Sequence, residues 1–171
     1  MTAELRRKDR IMASRPEMEL LLERMPVGRL GLITAEGPYV VALNYLFFEG
    51  HIYFHSGQAG RKIEALRADP SVCFLVDDVG PQVLFEKGCG ISQIYQSVVC
   101  FGKAEFVGGF GEKKRILDAM VRKFVLPGQP LPVMEDRNIE NTLVVKIVIE
   151  SMSGKENRLS PTHVVLADHR S

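Results

Sequence analysis

The sequence predicts a small, mainly β domain (α+β), in which about six antiparallel strands form a closed or nearly closed barrel with helices packed at its ends. Three observations predict it. Short runs rich in β-branched and aromatic residues recur between positions 27 and 77, separated by turn residues. Two later runs, 97–107 and 142–150, alternate as half-buried strands do. Stretches with apolar residues at helical spacing lie ahead of the strands and between them.

The elements follow in order. Residues 1–13 are charged and read as an arm. Ser14-Arg15-Pro16-Glu17 opens a helix: Ser14 can cap, Pro16 suits a first turn and Glu17 completes a capping box, with Met18, Leu21, Leu22 and Met25 on one face. Strands are expected at 27–34, 39–48 and 51–55, joined by Ala35-Glu-Gly-Pro38 and Glu49-Gly50 into an antiparallel meander. Gly28 and Gly31 inside the first strand suggest a bend or a close backbone approach. A helix from Arg61 stops at Asp69-Pro70, and 71–77 resumes the sheet. Positions 78–96 contain glycines and a proline without a steady period, and read as a long excursion. After the strand 97–107 comes a helix over 112–125, with Ile116, Leu117, Met120, Val121 and Phe124 on one face. A Pro/Gly-rich connection over 127–132 precedes the last strand, 142–150, and the chain beyond Ser151 reads as an irregular or partner-bound tail.

Composition narrows the function. With 171 residues the chain suits one domain, which buries close to ~70% of its unfolded surface. A net charge of +1 provides no long-range field toward nucleic acid or an anionic membrane. Tyr39, Tyr45, Phe47 and Phe48 have no basic groove beside them, which argues against single-stranded nucleic acid as a partner. The three cysteines lack zinc-type spacing and are odd in number, so neither a metal site nor a disulfide framework is expected. Cys73 and Cys100 lie in apolar runs, and Cys89 is flanked by glycines. With no leader pattern and no run of ~20 apolar residues, the expectation is a soluble cytoplasmic protein with no membrane partner.

The stretch His55-Ser-Gly-Gln-Ala-Gly-Arg-Lys62 carries the strongest chemical signal. It leaves a strand and enters a helix whose first two residues are cations, where the helix end already bears partial positive charge and unpaired N–H groups. A single phosphate satisfies all of these groups. The spacing is too short for a nucleotide P-loop, and no Ser or Thr follows the lysine to hold magnesium. No Ser-His-Asp or Cys-His arrangement supports nucleophilic catalysis. His55 is a weak candidate for proton transfer, and Tyr45 and Tyr95 read as packing or ring-side groups rather than acids.

The ordered set of motifs resembles the pyridoxamine 5′-phosphate oxidase-like split-barrel flavoproteins, and among them the 5-nitroimidazole-resistance (Nim) branch. The residues that carry the resemblance are Arg6–Arg10, Gly28-Arg29-Leu30, Pro38–Tyr45, Ile52–Ser56, Gly60–Ile63, Asp69–Phe74, Tyr95–Val98 and Phe101–Phe106. It implies one FMN-binding split-barrel domain over 14–155, with the arm at 1–13 and a tail at 156–171, and a homodimer holding FMN near the subunit interface. Carried over by motif, Val41, Ala42, Leu43 and Asn44 lie along the isoalloxazine ring. Phe54, His55 and Ser56 line the phosphate and ribityl side, Arg61 and Lys62 hold the phosphate, and Ser97 reaches the flavin with its hydroxyl. Gln96 departs from the basic residue common there in relatives. The implied activity is FMN-dependent reduction of a small organic acceptor such as a nitro-aromatic. The alternative is a non-enzymatic flavin or haem binder serving storage or redox sensing.

Overall fold

The computed structural model describes residues 8–12, 14–84, 91–126, 128–158 and 164–165. Most of the charged arm, Cys89 and most of the tail beyond Arg158 lie outside the described residues. A short turn, Lys8–Arg10, leads into β1 (Ile11–Met12) and α1 (Arg15–Arg24). Then come β2 (Val27–Thr34), β3 (Gly37–Asn44), β4 (Leu46–Phe48) and β5 (His51–Ser56), followed by α2 (Arg61–Ala68). The long strands β6 (Ser71–Leu84) and β7 (Ile91–Phe106) precede α3 (Phe110–Phe124), α4 (Asp136–Asn141), β8 (Leu143–Asn157) and β9 (Val164–Val165). No helix among the described residues is long and apolar enough to cross a membrane.

The strands join in the order β3-β2-β6-β7-β8-β5-β4, with β1 paired to β8 and β9 to β6. Every pairing is antiparallel. The expected class holds: this is a mainly antiparallel sheet with a few helices, of split-barrel type. The sheet does not close, and its two ends are β3 and β4, neighbours in sequence.

Those ends part because the expected strand 39–48 divides at Tyr45, so the expected three-strand meander does not form. Tyr45 is fully buried, donates its hydroxyl to the Leu22 carbonyl at 2.6 Å, and meets the Phe74 ring edge-on at 5.0 Å. Its backbone leaves the ladder there. β3 pairs only with β2, while β4 turns at Glu49-Gly50 to pair with β5, and β5 continues onto β8.

Four further expectations are corrected. The stretch 78–96 is no excursion: its described residues are the outer parts of β6 and β7, whose register shifts between Val79 and Gln82. Gly80-Pro81 occupies that irregularity, so the proline costs no ladder bond, and the Gln93 amide donates to the Gly80 carbonyl. Most side chains there are half-exposed on both faces, which erases the alternation that marks a strand. The chain beyond Ser151 stays in β8 as far as Asn157, pairing with β7 between Tyr95 and Phe101. Ser14 is the N-cap of α1 but makes no side-chain cap bond, and Glu17 pairs instead with Arg158 at 2.9 Å. The connection before β8 contains α4, which has a single buried apolar residue, Ile139, and therefore no periodic signature.

Two clusters form the core. Ile52, Phe54, Phe74, Val98 and Cys100 belong to the barrel interior, which α1 covers with Met18, Leu21 and Leu22, and α2 with Ala65 and Leu66. Leu46, Tyr53 and Val144 pack on the other side against Ile116, Leu117 and Met120 of α3 and Ile139 of α4. Close backbone approaches fix the curvature. A Cβ at Gly28 would overlap the Phe74 ring, and one at Gly102 would overlap the Val148 carbonyl. Gly102→Ala is expected to cost about 2 kcal/mol through forced backbone displacement. Gly108→Ala, with open space around it, should change stability by less than ~0.5 kcal/mol, both read from urea denaturation.

Candidate cofactor site at the open edge of the sheet

The loop after β5 reaches α2 through Gly60, whose φ of +116° is a conformation that a side chain would strain. Gly60 offers no side-chain cap; its carbonyl accepts from the N–H groups of Ile63 and Glu64 at 2.8 and 3.0 Å. The N–H groups of Arg61 and Lys62 therefore have no partner within the helix. Their side chains spread over the split: the Arg61 guanidinium stands 5.4 Å from the Tyr39 ring centroid on β3, and the Lys62 ammonium 5.1 Å from that of Phe54 on β5. Each cation thus covers an aromatic ring on one lip of the opening. Neither pairs with a carboxylate among the described residues.

Burial holds the Lys62 pKa below that of an ordinary lysine, because half-buried charge is desolvated without a compensating anion. A phosphate dianion fits this arrangement. It would meet a fork of donors, a point charge and free helix N–H groups together. The groove on the outer side of Arg61 is lined by Glu36, Glu64 and Asp69 and has no second cation among its described residues, so it repels an anion. An anion would be better accommodated on the side of the two aromatic rings.

The remaining expected site residues divide by face. On β3, Val41 and Leu43 pack inward against the barrel core, while Ala42 and Asn44 are exposed. The outer edge of β3 has no strand neighbour among the described residues, so its backbone groups on that edge are available to a flat heterocycle. On β5, Phe54 is fully buried and serves as the platform under Lys62, His55 is exposed, and Ser56 is half-buried at the strand end. Asn44 and His55 come together at one end of a cavity of about 460 Å³, walled by Leu117, Met120, Val121 and Phe124 of α3.

Ser97 is not brought to this site within one chain. It pairs with Lys155 on β8, whereas His55 pairs with Val144, eleven positions away. That is on the order of 30 Å of strand. The Ser97 hydroxyl donates weakly to the Lys155 carbonyl at 3.4 Å. Its neighbour Gln96 accepts from Arg24 and donates to Glu156, both at 3.3 Å.

Sequence reasoning missed the wall of the cavity. Val121 and Phe124 were expected on the buried face of α3, yet Val121 is half-exposed and Phe124 is 40% exposed, and both line the cavity. The signal was an apolar face longer than its buried part. Lys123 was also missed. Its ammonium sits 4.1 Å over the Tyr45 ring and donates to the Met25 carbonyl at 2.8 Å, tying α3 to the end of α1.

Desolvation pushes the Lys123 pKa down to about 8, against an opposing pull from Glu23. Between about pH 8 and 10.5 the unfolded chain therefore binds this proton more tightly, so the penalty for burying the charge is full below pH 8 and gone above 10.5. Relative to Lys123→Met, the native protein should gain about 1 kcal/mol between pH 7.5 and 10, since screening of this half-exposed group reduces the effect. Paired denaturation curves at the two pH values check it.

The chain is thus a split barrel whose open edge carries a phosphate-compatible cation pair. Comparison with known proteins gives the family: the pyridoxamine 5′-phosphate oxidase family model matches residues 14–156, and the chain belongs to that family. Among solved structures, a candidate 5-nitroimidazole antibiotic resistance protein from Bacteroides thetaiotaomicron is 28% identical, with a TM-score of 0.73 over 85% of both chains. An FAD-binding protein from Mesorhizobium loti is 29% identical, with a TM-score of 0.62 over 85% of this chain and 96% of its own. A flavocytochrome from Azotobacter vinelandii shares the fold at 23% identity, with a TM-score of 0.82 over 98% of this chain and 77% of its own. Among curated proteins none matches.

Proposed function

We propose that the protein is an FMN-dependent oxidoreductase that reduces a small organic acceptor, with nitro-aromatic compounds as the first class to test. The observation that carries this reading is the Arg61–Lys62 pair at the start of α2, which spans the split with no carboxylate partner among the described residues and with the Lys62 ammonium partly desolvated. Family membership and the FAD-binding neighbour from Mesorhizobium loti support the coarser part of it, a bound flavin. A bound flavin supplies reversible one- and two-electron chemistry. Arg61 and Lys62 would hold its phosphate, and the free edge of β3 from Val41 to Asn44 would position the ring by backbone hydrogen bonds. Among the described residues the split carries one cation pair, which matches the single phosphate of FMN, and parallel titration with FAD separates the two flavins.

The same reading includes a homodimer. Ile33, Val40 and Phe101 are 58%, 66% and 52% exposed and line one shallow groove with Cys73 on the outer sheet face. By strand alternation Ser97 lies on that face of β7, where a second copy would bring it to the partner's flavin edge. Cytoplasmic placement accompanies this reading, since both cysteines among the described residues are free.

The experiment is reconstitution with FMN followed by visible absorption. Flavin bands that survive desalting, with NAD(P)H oxidation coupled to a nitro-aromatic acceptor, support the reading; a colourless protein that does not titrate with FMN sinks it. A Soret band instead would point to the haem-binding alternative. Arg61→Ala with Lys62→Ala should raise the FMN Kd by at least about 100-fold, given two charge-assisted contacts of about 1.5–3 kcal/mol each. Because Lys62 loses its proton at lower pH than a surface lysine, FMN affinity should fall as pH rises through the alkaline range. Lys62→Arg should flatten that profile in the same titration.

A further inference from the structure

The cavity beyond Asn44 and His55 is chemically unlike the cation pair and lies across β5 from it. Ile52 and Phe54 face the barrel interior, where Lys62 covers the Phe54 ring, whereas Tyr53 packs toward α3 and α4. His55, two residues on from Tyr53, shares that second face and enters the cavity. The walls are aliphatic, aromatic and thioether: Leu117, Met120, Val121 and Phe124 from α3, and Met134 from the segment before α4. Polar groups are confined to the amides of Asn44 and Asn138, the His55 imidazole and the Thr142 hydroxyl. Among the described lining residues there is no Lys, Arg, Asp or Glu. Lys123 of α3 is engaged elsewhere, by the Met25 carbonyl and the Tyr45 ring.

We propose that this cavity binds an uncharged, largely apolar ring compound with a hydrogen-bonding group at one end, and rejects phosphorylated ligands. A volume of about 460 Å³ lies in the range of small-molecule sites. Apolar ring area is rewarded against the α3 wall, and the flexible Met120 and Met134 side chains adapt to different ring outlines. A phosphate placed there would be partly desolvated with no cation among the described lining residues, since Lys114 and Arg122 line the adjoining groove beyond Val121, Pro132 and Met134 together with Asp118. The family's namesake ligand type, a phosphorylated pyridine, therefore does not suit this cavity. That the occupant is the substrate reduced rests on the proposed flavin function; the binding itself does not.

The test is methyl-¹³C-methionine NMR of the full chain, titrated with menadione as a neutral ring probe and with pyridoxamine 5′-phosphate as the charged one. Met120 and Met134 line the cavity, while Met12 on β1 and Met18 on the buried face of α1 belong to the barrel core and serve as references for folding. Menadione should shift the Met120 and Met134 methyls and leave Met12 and Met18 in place, and pyridoxamine 5′-phosphate should shift none at the same concentration. Val121→Lys and Phe124→Lys should each weaken the menadione shifts at least tenfold with the Met12 and Met18 positions unchanged. No shift at Met120 and Met134, equal response to the phosphorylated probe, or wild-type shifts in both lysine variants would overturn the proposal. In Arg61→Ala with Lys62→Ala the menadione shifts should persist, and their loss would equally overturn it. Wild-type protein that shows these shifts yet takes up no FMN supports the cavity and removes only the flavin reading.

Discussion

The structure depends on the burial of Tyr45. A tyrosine in a run of strand-forming residues would ordinarily continue the ladder, but this one turns inward, packs on Phe74 and finds a hydrogen-bond acceptor at the end of α1. Burial raises its pKa well above the ordinary phenol value, so the group stays a neutral donor to the Leu22 carbonyl at pH values where an exposed phenol ionises. Lys123 then caps the ring from α3. One side chain thus joins α1, the barrel and α3, and divides β3 from β4. Without that division the sheet would have no open edge at Asn44, and the cations of α2 would have no gap to span.

Two chemistries meet at the opening. On the barrel side, Arg61 and Lys62 hold positive charge over aromatic rings, and an anion would relieve the desolvation of Lys62. On the α3 side, the cavity wall is apolar with a few neutral polar groups. A molecule that is anionic at one end and flat at the other suits the first region. A neutral ring suits the second. The two described cysteines are held as thiols by burial, which pushes Cys100 up to about 12 and raises Cys73 as well.

Much of this was legible in the sequence where local chemistry and tertiary environment agree. The α1 face of Met18, Leu21 and Leu22, the stop of α2 at Asp69, and the entry of Arg61 and Lys62 into a helix all follow from spacing and capping. The break at Tyr45 was not legible, because it results from a contact with Leu22 and Phe74 that no local pattern announces. The outer half of the β6–β7 hairpin was hidden by a register shift and by two half-wet faces, and α4 by its single buried residue. Ser97 rests on resemblance alone, and its pairing eleven positions along β8 from that of His55 is a separation that no local pattern announces. The cavity wall escaped because a helix face that covers a void reads the same as one that covers a core.

The central claim is that the split in the sheet, held open by Tyr45, is a flavin site anchored by the start of α2. The most direct measurement is a crystal structure of the protein grown with FMN. The account predicts the phosphate within hydrogen-bonding distance of the Arg61 guanidinium, the Lys62 ammonium and the N–H groups of the first turn of α2, with the ring against the free edge of β3. A flavin whose phosphate lies elsewhere, or a complete split with no flavin at saturating FMN, would contradict it.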